Sequence, residues 1–414
     1  MNNEREFKNL PEGWKWVRLG EVVEEVKERN LSNDQLPLLT SSRKGIYLQD
    51  EYFNRIVASE NLSNYKVIRK GQFTYRSMSD DETFVFNRLE DIELGLVSPA
   101  YYIFQVIKGC SGSFLKYFIN NSVEIKKQIY KYVEGTTRTA LRFNQLKNFI
   151  VPLPPLPEQQ KIAEILETVD NAIEKTDKII EKYKRIKQGL MQDLLTKGID
   201  ENGNIRSEKT HKFKDSPLGK IPEEWEVVRL GEVFKLKSGK TKPIDTSEFG
   251  NYPVYGGNGI LGYTNEKNFN KETIIIGRVG EYCGSVYIAN EGWVTDNALY
   301  VVAKKLDYNN IFLCYLLKYL NLNQFSAETG QPLMTQTIIY SLLIPLPPLP
   351  EQQRIAEILS QIDQTIEIEQ QYKEKLKRIK QGLMQDLLTG KVRVNHLVEE
   401  KENEQRYTSN FTRT

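Results

Sequence analysis

Two glycine-bearing strings in this chain could cradle a phosphate, and neither sits in the frame that such chemistry needs. Gly257-Asn258-Gly259-Ile260-Leu261-Gly262 spells G-x-G-x-x-G. That motif works only with a buried strand before it and a helix after it, whose N-terminus meets the pyrophosphate. Here Pro253 lies just upstream and Tyr-Thr-Asn-Glu-Lys-Asn follows, which predicts a flexible loop. Ser238-Gly239-Lys240-Thr241 resembles the end of a P-loop, but Phe234 stands where the first glycine belongs and Pro243 would break the following helix early. The two histidines, His211 and His396, sit in polar stretches and offer neither a His-based triad nor a His-rich metal site. Cys110, Cys283 and Cys314 lie too far apart for zinc-ligand spacing. No nucleophile elbow or methyltransferase signature stands out. The expectation is therefore a chain with no catalytic residues, no metal and no cofactor of its own.

Other side chains suit binding. Lys235, Lys237, Lys240 and Lys242 put four ammonium groups within eight residues. Arg43 with Lys44, and Arg138 with Arg142, form smaller basic clusters; Asn258 lies in the turn-rich stretch Tyr252–Asn265, and Arg76 and Arg278 are single candidates. Lysine and arginine neutralise phosphates, while arginine and asparagine can pair with base edges through two hydrogen bonds. A charge run alone is more often a solvated face, and Arg76 and Arg278 have an ordinary reading as surface ion-pair partners. The polar stretches Gly135–Arg138 and Gly330–Pro332 precede the two proline-rich segments by similar distances and suit hydrogen bonding to bases or phosphates. Net charge is only +2, from 57 basic and 55 acidic residues, which argues against an indiscriminate nucleic-acid coat. A few placed side chains remain compatible with it.

The elements that must position these groups emerge from an internal repeat. PLPPLPEQQKIAEILETVD begins at Pro152 and PLPPLPEQQRIAEILSQID at Pro345, 193 residues apart. Over the 45 residues from Pro152 to Thr196 the two copies agree at 32 positions, and KRIKQGLMQDLLT recurs whole. LPEGWKWVRLGEV (Leu10–Val22) is matched by IPEEWEVVRLGEV (Ile221–Val233), at an offset of 211. The second copy is thus 18 residues shorter between its shared blocks, and the intervening sequence shows little resemblance.

The shared blocks after the prolines predict long helices. Apolar residues at Ile162, Leu166, Val169, Ile173, Ile180, Tyr183, Leu190 and Leu194 fall three, four or seven apart, and Ile355, Leu359, Ile362, Ile366, Leu376, Ile379, Leu383 and Leu387 follow the same pattern apart from a ten-residue step between Ile366 and Leu376. Glu369 and Lys373 make the middle of the second copy more polar than Thr176 and Ile180 make the first. Pro157 and Pro350 suit a first helical turn, and Glu158 and Glu351 favour its dipole. The 39 residues from Glu158 to Thr196 would span about 58 Å. Two such helices with one apolar stripe each would bury those stripes against each other.

Between the blocks the pattern is mixed α/β. Strands are expected at Val67–Ile68, Phe84–Phe86 and Ala100–Val106, and a helix at Ser113–Tyr132. Further on, strands are expected at Thr273–Gly277, Ser285–Ala289 and Ala298–Ala303, and a helix at Ile311–Leu320. Tyr252–Asn265 reads as a turn-rich loop, and Lys197–Lys220 as a polar linker. The boundaries predicted are a first variable domain at 1–150, a helical spacer at 151–198, a linker at 199–214, a second variable domain at 215–343, a second spacer at 344–393 and a frayed tail at 394–414.

With 414 residues, 27% charged and a mean hydropathy of −0.51, the composition is that of a soluble globular protein of two to four domains. No apolar run approaches the roughly 18 residues of a membrane span, and MNNEREFKNLPEGW lacks the apolar core of a signal peptide. The cysteine usage fits a reducing cytoplasm.

The twin blocks IPEEWEVVRLGEV, PLPPLPEQQ-x-IAEIL and KRIKQGLMQDLLT resemble the specificity subunit of Type I restriction-modification enzymes over nearly the whole chain. The resemblance implies a mixed α+β fold: two target recognition domains joined by two long antiparallel helices in a coiled coil, with pseudo-two-fold symmetry. Each variable domain would read one half of a split, asymmetric sequence in double-stranded DNA. The helices would act as spacer and ruler and dock two methyltransferase subunits, with restriction (translocase) subunits joining them. S-adenosylmethionine, ATP and magnesium would be bound by those partners. Arg43, Lys44, Arg76, Arg138, Arg142, Lys237, Lys240, Lys242, Asn258 and Arg278 are then the expected DNA contacts. Gln159, Gln160, Gln352 and Gln353, at the helix starts, are candidates for the methyltransferase interface, with helix-start solubility as their plainer role. The alternative is a structural coiled-coil adaptor without sequence-specific DNA binding, which the near-neutral charge favours.

Overall fold

A computed structural model describes residues 10–53, 61–81, 83–132, 139–326 and 331–398. The chain divides into two compact units, Met1–Lys175 with Lys373–Thr414, and Thr176–Tyr372. The two long helices, Leu156–Thr196 and Leu349–Leu387, are each shared between the units. In the first unit the start of the first helix packs with the end of the second: Ile162, Leu166, Leu387 and Leu388 enter one core with Phe73, Phe104 and Phe149. In the second unit the opposite ends meet, and Leu194, Leu195, Ile355 and Leu359 join Trp225, Phe234 and Phe312. The pairing is therefore antiparallel. The predicted stripe is buried at Ile162, Leu166, Ile180 and Leu194 and again at Ile355, Leu359, Ile366, Leu376 and Leu387. Ile379 departs from it and is exposed.

Each unit carries the same four-stranded antiparallel sheet. In the first, the spatial order is Val23–Val26, Tyr101–Val106, Phe73–Arg76, Asn87–Arg88. In the second it is Phe234–Ser238, Ala298–Lys304, Thr273–Gly277, Val286–Ala289. The two conserved blocks find each other within each unit. Lys15–Arg18 pairs antiparallel with Ile150–Leu153, and Glu226–Arg229 with Leu343–Leu346. The proline-rich stretch is thus an edge strand before it is a helix start. Proline is tolerated there because an edge strand can spare an N–H.

Several local expectations needed correction. Ser122 adopts an extended conformation (φ −69°, ψ 129°) and breaks Ser113–Tyr132 into helices Gly112–Asn121 and Val123–Tyr132. Phe84 and Phe86 are buried but lie outside any strand; the adjacent strand is Asn87–Arg88. Tyr252–Asn265 is a β-hairpin, Tyr252–Gly256 with Gly259–Thr264, rather than a loop. Lys197–Lys220 also folds: Ile199 is buried in the second core, and Phe213–Ser216 pairs with Gly219–Pro222. The start of the expected tail packs as well, with Val394 buried in the first core.

Candidate nucleic-acid interface

In the second unit, the central strand Thr273–Gly277 runs out at Arg278, and the segment Val294–Ala298 gathers distant loops around that end. The Lys240 N–H donates to the Val294 carbonyl and the Gly239 N–H to that of Ala298, both at 3.0 Å. The Arg278 N–H donates to the Asn297 carbonyl and the Thr295 N–H to that of Tyr255, both at 2.9 Å. Glycine permits the crowding: a Cβ on Gly239 would collide with the Thr295 carbonyl, and one on Gly277 with that of Tyr282. The Ser285 and Tyr287 hydroxyls donate to the Gly257 and Gly256 carbonyls and brace the hairpin tip, where Asn258 is exposed. Burial pushes the Tyr287 phenol pKa up, so it stays protonated and keeps donating.

Lys235, Lys237, Lys240 and Lys242 are exposed and make no ion pair among the described residues. Lys235 and Lys237 share the open face of Phe234–Ser238, and Lys240 Nζ lies 5.9 Å from the Trp293 ring centroid. Arg278 is half-buried, and its Nε is buried without a hydrogen-bond partner. An unmet donor of that kind costs on the order of 1–3 kcal/mol. Arg278 thus carries a donor that its own unit does not satisfy.

The first unit repeats the device with other side chains. Phe73–Arg76 holds the same sheet position as Thr273–Gly277 and ends at exposed Arg76. Just beyond it, Ser79 Oγ donates to Asp81 Oδ1 at 2.9 Å, and Asp81 takes an ion pair from Arg43. The Ser79 hydroxyl first, then the Thr83 N–H and Arg43, hold the Asp81 carboxyl below its ordinary pKa. Thr139 Oγ1 donates to the Ser79 carbonyl at 3.1 Å and the Leu141 N–H to that of Ser77 at 3.0 Å, which sets exposed Arg142 beside the same segment. Met334 N–H to the Arg278 carbonyl, at 2.8 Å, is the second unit's version of that closure. Lys44 is exposed in the turn next to Arg43. Arg76 and Arg278 make no ion pair among the described residues. Arg138 lies outside the described residues, as do the rest of Gly135–Arg138 and Gly330.

The helix starts are locked to their units by buried polar groups. Glu158 accepts from Trp14 Nε1 at 3.1 Å and from Arg393 Nε and Nη2 at 2.7 and 2.9 Å. Glu351 accepts from Trp225 Nε1 at 3.1 Å, from Arg206 and from the Ile199 N–H at 2.9 Å. Gln159 is buried: it accepts from the Ser111 N–H at 2.7 Å and donates to the Gly109 and Pro154 carbonyls. Gln352 likewise accepts from the Asn309 N–H at 2.9 Å and donates to the Pro347 carbonyl. These two glutamines fasten the helix to the small helix of each variable domain, whereas Gln160 and Gln353 are exposed.

Arg206 and Arg393 were missed by sequence reasoning because they stand in polar stretches without periodicity. Asp296 and Asn297 were missed too. They are exposed at the hub of the second site, and the only signal was a polar Thr-Asp-Asn step between two apolar strands. Among the described residues, no group of three or more His, Cys, Asp or Glu is placed to hold a metal, and no helix is long and apolar enough to cross a membrane.

Two variable α/β frames with unlike polar and basic loops, each anchored to conserved antiparallel helices, define the architecture of a DNA-specificity subunit. The chain belongs to the Type I restriction modification DNA specificity domain family, whose model matches residues 11–184 and 222–378. It is 36% identical to a putative type I restriction enzyme MjaX specificity subunit of Methanocaldococcus jannaschii over 65% of this chain and 66% of that one. It is 27% identical to the MjaVIII specificity subunit of the same organism over 94% and 95% of the two chains. The crystal structure of a Type I restriction-modification S subunit from M. genitalium shares the fold, with a TM-score of 0.62 and 17% identity, covering 92% of this chain and 97% of that one.

Proposed function

We propose that this specificity subunit reads a bipartite, asymmetric target in double-stranded DNA, one half-site per unit, and delivers that reading to catalytic partners. The observation that carries the reading is one sheet frame used twice with unlike side chains at the end of its central strand. Arg76, opposite Tyr101, holds the place of Gly277, opposite Ala298, and Arg278 stands one residue further on, where the first unit has Ser77; each arginine lies beside a hydrogen-bonded hub whose other side chains differ between the units. One frame with two unlike sets of contacts is what an asymmetric two-part sequence requires. Paired readers contact half-sites about 34–36 Å apart per helical turn of DNA. The 41- and 39-residue helices, at about 60 Å, are long enough to set such a separation.

Two methyltransferase subunits would dock on the helix-start region around Gln160 and Gln353, and restriction (translocase) subunits would join them. S-adenosylmethionine, ATP and magnesium belong to those partners, and this chain contributes no catalysis. Exposed loops on a fixed frame, with a near-balanced charge, suit selection of sequence while the partners share the grip on the duplex. The setting is cytoplasmic.

A salt series on the assembled complex tests the reading. Target and random duplexes should differ in affinity at every salt concentration, with log K falling linearly in log[salt] for both. The near-neutral net charge of +2 favours the adaptor reading, and an absence of sequence preference at all salt concentrations would establish it. The purified chain alone, given S-adenosylmethionine or magnesium, should neither methylate nor cut.

A further inference from the structure

Resting on that reading, we infer that the hairpin Tyr252–Thr264 enters the major groove and reads thymine methyl groups, so the half-site of the second unit contains A·T pairs. The hairpin and the loop before it carry a group of apolar side chains turned to solvent. Ile244 and Phe249 are 106% and 83% exposed, and Ile260 and Leu261 are 54% and 52% exposed. Ile260, Leu261 and Lys242 line one shallow concavity with Thr246, Ser247 and Glu248. Ile260 and Leu261 thus form an exposed apolar pair in one concavity, and exposed apolar surface on a folded unit marks a place where something binds.

The surroundings point to a DNA groove as the occupant. Lys242 lines the concavity and Lys240 precedes it by two residues, over the Trp293 ring; neither has a carboxylate partner among the described residues. Phosphates on the groove rim would supply the missing anions. A two-stranded ribbon fits the major groove, about 12 Å wide, where thymine presents its C5-methyl group to apolar side chains. The tip is built to approach closely: the Gly256-Gly257-Asn258-Gly259 turn carries one side chain beyond glycine, and Gly259 takes φ +106°. Asn258, at that tip, has the donor and acceptor pair that matches adenine N7 and N6. The Ser285 and Tyr287 hydroxyls fix the tip from behind, so the contacts are pre-set. Leu261 folds back toward Gly256, where a Cβ would meet its Cδ1 at 2.7 Å. Ile260 is therefore the more outward of the two.

Deoxyuridine in place of thymidine removes only the methyl group. The complex of this chain with its methyltransferase subunits is titrated with its methylation target, substituted in one half-site at a time. Substitution in the half-site read by the second unit should weaken binding about fourfold per contacted thymine, the worth of one buried methyl group. Ile260→Ala should abolish the distinction between thymine and uracil there and leave the other half-site unaffected. The inference is overturned if neither half-site responds, if the half-site of the second unit contains no A·T pair, or if Ile260→Ala weakens thymine and uracil duplexes alike. An Ile260→Ala complex that fails to assemble would instead assign the patch to a protein partner if the wild-type complex also ignores uracil. Selective binding without a uracil effect contradicts this inference alone, whereas loss of all sequence selectivity contradicts the DNA reading beneath it.

Discussion

Lys380 Nζ lies 2.6 Å from Asp170 Oδ1, and the same carboxylate accepts from the Tyr117 hydroxyl at 2.6 Å. Asp170 sits on the first long helix and Lys380 on the second, while Tyr117 belongs to the small helix of the variable domain. In the other unit Lys187 and Tyr315 meet Asp363 with the helices exchanged, at 2.6 Å for each contact. Each cation also lies over its tyrosine ring, at 5.6 Å for Lys380 and 5.3 Å for Lys187. One carboxylate therefore fixes both the helix register and the seat of the domain upon it. Burial first, then the hydrogen bond to the carboxylate, push both tyrosine pKa values up, so both stay donors.

Asp170→Asn should lower the stability of the first unit by about 1–2 kcal/mol, above the 0.2–1 of an exposed pair because the tyrosine bond loses its charged acceptor as well. The charge-exchanged double variant Asp170→Lys with Lys380→Asp should recover only the ionic part. Thermal unfolding of the single and double variants measures both. Equal loss in Lys380→Ala and wild-type-like stability in Asp170→Asn would remove the carboxylate from the account.

Glu158 carries a heavier load. Its side chain is 3% exposed and accepts from Trp14 and from Nε and Nη2 of Arg393. Glu158→Gln would strand the arginine, and breaking such a pair costs about 2–4 kcal/mol, discounted because Arg393 keeps some solvent. Ending the chain after Gly390 should cost a similar amount, since it removes Arg393 and Val394 together. A truncated chain as stable as the full one in urea would show that the clasp is idle.

Burial pushes Cys110 up to about 12, and Cys283 and Cys314 are raised by burial too. An unfolded thiol ionises near about 8.5. Below that pH both states are protonated. As pH rises past it the unfolded chain sheds protons that the folded chain keeps, so this contribution to stability falls. At pH 8 the folded protein should resist iodoacetamide at all three cysteines and react at three in denaturant. Mass spectrometry reads the count, and rapid labelling of the native protein would contradict the packing.

Arg278→Ala should cost roughly 1–3 kcal/mol and relax preference at one base position, whereas Lys237→Ala should weaken all duplexes alike and reduce the salt slope by about one. Competition binding against single-base variants separates the two. A uniform loss for Arg278→Ala would make it a phosphate contact.

The long helices were legible because three-, four- and seven-residue apolar spacing survives in sequence whatever the helix packs on. The doubled architecture was legible because its shared blocks pair with each other inside each unit, Trp16 opposite Pro152 and Val227 opposite Pro345. The clasp arginines were not, since Arg206 and Arg393 are not equivalent in the repeat and gain meaning only when Glu351 and Glu158 are brought near. Phe84 and Phe86 looked like a strand because alternation is all that burial on one side writes into a sequence; their backbone pairs elsewhere, Phe86 N–H with Asn120 Oδ1 at 2.9 Å. Gln159 and Gln352 looked outward because glutamine usually is, and their capping of buried carbonyls is a long-range fact. Arg76 and Arg278 were singled out separately. That both stand at the end of the same central strand, one residue apart in register, rests on sheet order and pairing, which sequence between the shared blocks no longer carries.

The central claim is that two units read separately, at a distance set by the helices. Methylome sequencing of cells carrying this chain with its partner subunits, beside a variant with seven residues inserted in both long helices, tests it most directly. The account predicts a two-part motif whose specified bases are unchanged in the variant and whose unread spacer lengthens. A continuous motif, or a two-part motif with the same spacer in both strains, would contradict it.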